Sequence, residues 1–88
     1  MKIKEGFVLR EIAGQTVVIA TGEASKTFHG MVKLNGTGRD IWQGLAKGLS
    51  QEEIAQGLVD KYDGVDLDKA REDTARLIGK MEEAGFLV

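Results

Sequence analysis

"MVKLNGTGRDIW", residues 31–42, is the stretch in which the hydrophobic period of this chain changes. Met31 to Leu34 are apolar around a single lysine, as in a short strand. From Asn35 onward the apolar residues return every three or four positions, which places Ile41, Trp42, Leu45 and Leu49 on one helical face. Asn35 or Thr37 supplies the side-chain oxygen that the first unsatisfied helical N–H groups need. No strand-like run follows Leu34, so the outer edge of this short strand is expected to stay open.

Upstream, Val8 to Ile12 and Thr16 to Ala20 are β-branched or apolar and are separated by Ala13-Gly14-Gln15, which predicts an antiparallel hairpin. The polar stretch "TGEASKTFHG", residues 21–30, leads to the third strand, with Phe28 expected beneath it. Downstream, the first helix is expected to end near Gly48. Ser50 and Glu53 form an S-x-x-E capping box, followed by Ile54, Ala55, Leu58, Val59 and Tyr62 on one stripe. Asp66 caps a third helix whose inward stripe is Leu67, Ala70, Thr74, Leu77, Ile78 and Met81. Gly85 suits the left-handed position after its last turn, and Phe86 to Val88 are expected to fold back as an apolar tail.

Three antiparallel strands followed by a three-helix bundle make an α+β fold in the order of a winged helix-turn-helix, the helices covering one sheet face. A single domain over residues 1–88 is expected, and Met1 suggests a stand-alone protein. At 88 residues, folding removes only roughly 60% of the unfolded surface from water, so the core is thin. The composition, 42% hydrophobic and 30% charged, is that of an ordinary water-soluble chain. No apolar run approaches the roughly 20 residues of a membrane helix, and "MKIKEGF" lacks a signal-peptide core, so a cytoplasmic location without membrane contact is expected.

The residue supply excludes most catalysis. There is no cysteine, which removes disulfides, thiolate metal sites and cysteine nucleophiles. His29 is the only histidine, expected at a loop or strand end, and neither Ser25 nor Ser50 has an imidazole to activate it. "DGVDLD", residues 63–68, lacks the loop spacing and closing glutamate of a calcium-binding EF-hand and reads as turn and cap. Gly36-Thr37-Gly38 lacks the third glycine of a dinucleotide fingerprint. Trp42 and Tyr62 read as core aromatics. No catalytic residue, cofactor or metal site is expected, and the protein is read as a non-enzyme.

Two binding readings remain, with a third of another kind. A winged helix-turn-helix regulator would place its last helix against DNA, but residues 66–84 carry six acids and four bases, with the acids crowded at the end that would meet phosphates. The wider chain agrees: residues 1–34 hold five Lys/Arg against three Asp/Glu, and residues 35–88 hold seven against eleven. Nucleic acid is therefore not expected as a partner. An open strand edge can instead take a partner peptide as one more strand. Equally, Lys33 and the shortness of the strand are the usual guards of an edge that does nothing. The third reading is a structural or oligomerising domain whose edges pair across a two-fold axis.

"GMVKLNGTGRDIW", "GLSQEEIAQGLVDKYD" and "AREDTARLIGKMEEAGFLV", in that order, resemble the PqqD family, small leader-peptide recognition elements of pathways that make and modify ribosomal peptides. The most specific parts are the K-L-N-x-x-G-x-x-I-W junction from Lys33 to Trp42 and the D-x-x-x-L-I-x-x-M-x-x-x-G-F-L pattern from Asp73 to Leu87. The resemblance implies a non-catalytic adaptor whose precursor leader lies as an added strand beside the third strand, against the third helix. Carried over by position, the peptide-binding residues are Met31, Val32, Lys33 and Leu34 on the strand and Asp73, Leu77 and Lys80 on the helix, with Lys33 placed to meet acidic leader residues. It further implies a separate peptide-modifying enzyme as partner, for example a radical S-adenosylmethionine (radical SAM) maturase, and a monomer or weak homodimer. Members dedicated to pyrroloquinoline quinone synthesis carry a Pro-Glu-containing approach to the third strand, whereas "TGEASKTFHG" has no proline, so the wider family is the better match.

Overall fold

The computed structural model describes residues 2–26 and 31–88; the expectations for Phe28 and His29 lie outside the described residues. Strands β1 (Phe7–Ile12), β2 (Gln15–Ala20) and β3 (Met31–Leu34) precede helices α1 (Gly36–Ala46), α2 (Gln51–Lys61) and α3 (Leu67–Glu83). The sheet is antiparallel in the order β1-β2-β3. The α+β order expected from the change of period is thus the observed one, with β1 and β2 starting one residue earlier than expected and β3 at its expected bounds.

The hairpin closes through Ala13 and Gly14, both at positive φ (52° and 78°), the backbone that a two-residue hairpin turn requires. Central β2 is covered on both faces: the neighbours Val17 and Val18 are 1% and 0% exposed. Val18, with Leu9 and Val32 opposite it across the ladder, faces the helices, where Ile41, Trp42, Leu45, Ile54, Leu58 and Ile78 complete the core. The alternate residues Arg10, Val17 and Lys33 share the outer face.

Each helix begins as its sequence dictates. Asn35 accepts from Gly38 N–H at 2.7 Å, Ser50 and Glu53 bond reciprocally at 3.1 and 2.9 Å, and Asp66 accepts from Lys69 N–H at 2.7 Å. The hydrogen bonds from Ser50 hold the Glu53 carboxyl below its usual pKa. Helix α1 stops in a Schellman turn, with Gly48 at φ +83° and Leu49 N–H donating to the Gly44 carbonyl at 3.0 Å. Leu49, expected on the buried face of α1, therefore lies beyond the helix and is exposed. Between α1 and α2 the backbones come close, because Gly44 presents only hydrogen to the buried Ile54.

Tyr62, expected on the α2 stripe, packs against the core from the cap position of that helix and donates its hydroxyl hydrogen to Asp40 of α1, which also accepts from Lys61 at 3.0 Å. Burial alone would push the Asp40 carboxyl up, yet these bonds and the charges of Lys61 and Arg39 hold it below the usual carboxylate value. The same hydrogen bond to Asp40 raises the Tyr62 phenol.

Helix α3 ends in a second Schellman turn: Gly85 N–H donates to Glu82 at 3.1 Å and Phe86 N–H to Met81 at 2.9 Å. The tail then folds back, as its apolar composition implies, and pairs with the N-terminus. Ile3 and Leu87 form an antiparallel bridge, with Lys4 N–H donating to Phe86 at 2.7 Å and Val88 N–H to Lys2 at 2.9 Å. This pairing, which the sequence did not suggest, fixes Phe86 against Phe7 at 4.7 Å between ring centroids.

Candidate functional site

Strand β3 bonds to β2 along one edge, with Val18 opposite Val32 and Thr16 opposite Leu34. Among the described residues no strand pairs with its other edge. Val32 and Leu34 turn toward the helices and are half-buried, whereas Met31 and Lys33 are exposed, Met31 at 54%. The helix across from this edge is α3, which runs antiparallel to β3. Between them lies a groove.

The groove has two adjoining parts of about 220 Å³ each. The first is apolar: Val32 and Leu34 form one wall, Met81 and Ala84 the other, and Trp42 and Phe86 the floor. Phe86 meets Trp42 edge-on at 5.9 Å. The second part is polar, with Asn35 and Thr37 at the start of α1 facing Asp73 and Arg76 of α3. Leu77 and Lys80 border both parts. Leu77 stays half-buried while its neighbour Ile78 is 2% exposed, because it has no protein wall on the groove side.

Arg76 donates to Glu72 at 2.6 Å and to Asp73 at 3.4 Å, and Lys69 donates to Asp73 at 3.0 Å. Arg71 is fully engaged with Glu52 of α2, at 2.6 Å, which holds the Glu52 carboxyl down and raises the guanidinium. Lys80 and Lys33 have no acidic partner among the described residues. No three His, Cys, Asp or Glu side chains among the described residues are grouped to hold a metal ion, and no described helix is long and apolar enough to cross a membrane.

Of the residues singled out from sequence, the structure brings Val32, Lys33, Leu34, Asp73, Leu77 and Lys80 together along this groove. Met31 stands on the same open strand but borders neither part. From sequence, Trp42 and Met81 read as core residues and Phe86 as part of an apolar tail, and Arg76 and Ala84 were not singled out as lining groups. The signal was present: steps of three and four from Asp73 reach Arg76, Leu77, Lys80, Met81 and Ala84, one stripe of α3.

With a free strand edge beside an apolar groove, the fold defines a small winged α+β domain with a peptide-sized cleft. The sequence profile of the family described as Coenzyme PQQ synthesis protein D (PqqD) matches residues 15–87, and the chain belongs to that family. Among solved structures it is similar to "TbiB1 in Complex with the TbiA(beta) Leader Peptide", with 23% identity, a TM-score of 0.78, and coverage of 99% of this chain and 94% of that one. It is likewise similar to "Lasso peptide synthetase B1 complexed with the leader peptide", with 23% identity, a TM-score of 0.79, and coverage of 99% and 95%. At this identity the two structures establish the shared fold. Comparison with curated proteins gives no match.

Proposed function

We propose that this protein is a non-catalytic adaptor that takes the leader segment of a ribosomally made precursor peptide as an added strand on β3 and presents the core peptide to a separate modifying enzyme. The observation that carries this reading is the edge of β3 that no described strand pairs, lying directly beside the apolar groove against α3. An extended peptide there gains main-chain hydrogen bonds from the strand and a pocket for alternate side chains from the groove. Membership of the PqqD family, and the leader peptides named in two structures of the same fold, support it. Tethering the leader raises the effective concentration of the core at an enzyme that need not recognise it, so the adaptor requires no reactive group of its own. The peptide-binding set is Met31 to Leu34 with Asp73, Leu77 and Lys80, and the enzyme partner is of the tailoring kind, for example a radical SAM maturase. A regulator reading is disfavoured by α3, where three of the four cations are already paired with acids.

A proline scan tests the mode of binding. Proline removes the backbone N–H, and alternate residues of β3 direct theirs to β2 or to the open edge. Substitution at Met31 or Lys33, and separately at Val32 or Leu34, is expected to abolish leader binding in one set while circular dichroism shows the fold retained. Unchanged affinity in every folded variant would contradict strand addition.

A further inference from the structure

Resting on that leader-binding reading, we infer that the strand received beside β3 carries an acidic side chain two residues away from an apolar one, with the acid seated at Lys80. The spacing comes from the two parts of the groove. The apolar part uses Leu77, Lys80 and Met81 of α3 with Ala84 just past its end, and the polar part uses Asp73, Arg76, Leu77 and Lys80, the same stripe one turn earlier. A helical turn advances about 5.4 Å, and an extended chain advances about 6.6 Å in two residues. Successive inward-facing side chains of a strand laid along α3 therefore fall one into each part.

The chemistry of each position follows from its lining. Beside Val32, Trp42 and Met81 a hydrocarbon side chain is favoured. In the polar part the charges are unequally spent. Arg76 and Asp73 face each other, and each also holds a second partner, Glu72 at 2.6 Å and Lys69 at 3.0 Å respectively. Lys80 alone among the four cations of α3 lacks an acidic partner among the described residues, and it borders both parts. Lys33 lies on the outer face of the sheet and does not border the polar part, so the charge there falls to Lys80. A carboxylate at the polar inward position gives Lys80 its partner, and a lysine or arginine there meets a like charge. Net charge points the other way, since a chain of formal charge −2 favours basic ligands at long range, so a local preference for acid is a discriminating result.

The test is selection of the whole protein against a displayed library of random short peptides, followed by titration of one enriched peptide and its acid-to-amide variant. The enriched set is expected to pair an apolar residue with Asp or Glu two positions away. Replacing that acid by its amide is expected to weaken binding about two- to fivefold at low salt, the size of a partly exposed ion pair. Lys80→Met, which keeps the apolar stem and removes the charge, is expected to erase the difference between the two peptides. Equal affinity for acid and amide, or a difference that persists in Lys80→Met, overturns the Lys80 subsite and leaves leader binding by β3 intact. Failure to enrich any peptide that perturbs the β3 amides overturns both.

Discussion

Trp42 and Phe86 meet edge to face beneath the groove, with 5.9 Å between ring centroids and 73° between planes. One comes from α1 and the other from the C-terminal tail, which is folded back and bridged through Leu87 to Ile3, so the tail supplies part of the groove floor. Trp42 is the sole tryptophan and is 4% exposed. Its emission is expected to be blue-shifted in the folded protein and to change when a peptide enters above it. Phe86→Ala is expected to cost about 3–5 kcal/mol, read as a lower urea midpoint by Trp42 fluorescence. A loss below about 1 kcal/mol would show that the tail does not anchor the floor.

Helix glycines give a paired prediction of opposite sign. A Cβ on Gly44 would lie 2.7 Å from Ile54 Cγ1, whereas a Cβ on Gly57 or Gly79 would meet nothing within 4 Å. Gly44→Ala is therefore expected to destabilise by about 1–3 kcal/mol through overpacking of α1 on α2. Gly57→Ala and Gly79→Ala are expected to stabilise by up to about 1 kcal/mol through helix propensity. Urea unfolding of the three variants checks the contrast.

Thr74 is 1% exposed and its hydroxyl has no hydrogen-bond partner among the described residues. Thr74→Val replaces that hydroxyl with a methyl of similar size and is expected to stabilise by about 1 kcal/mol. A higher thermal midpoint with unchanged peptide affinity is the expected pair of readings, since Thr74 does not line the groove. A destabilised variant would mean that the hydroxyl is satisfied after all.

Asp40 ties α1 to the end of α2 through Tyr62 and Lys61, and its carboxyl titrates below its usual range. A group depressed in the folded state contributes stability that is present above its unfolded pKa, about 4, and is lost as pH falls through the folded value. Asp40→Asn is thus expected to be less stable than the parent at pH 6, with the gap closing only as pH falls below about 4. A gap that stays constant over this window would assign the effect to packing.

Much of the fold was legible because local chemistry and period agree. The capping box at Ser50 and Glu53, the caps Asn35 and Asp66, and the left-handed glycines at 48 and 85 each mark an element boundary in sequence. Leu49 misled because it continues the period of α1 one step past the turn made by Gly48. The bridge between Ile3 and Leu87 was invisible because it joins the two ends of the chain, and no local pattern encodes such pairing. Half the groove was legible only through the family resemblance, which singled out Asp73, Leu77 and Lys80 by position; period alone does not distinguish Met81 and Phe86 buried in a core from the same residues flooring a cleft.

The central claim, strand addition at β3, is tested most directly by a backbone-amide NMR titration of the labelled protein with the leader region of a short precursor-like reading frame encoded beside its gene. Strand addition predicts shifts concentrated at Met31 to Leu34 and along Asp73 to Lys80, with the β1 edge unchanged. Binding that leaves the β3 amides unmoved and perturbs the β1 edge or the exposed face of α2 would contradict it.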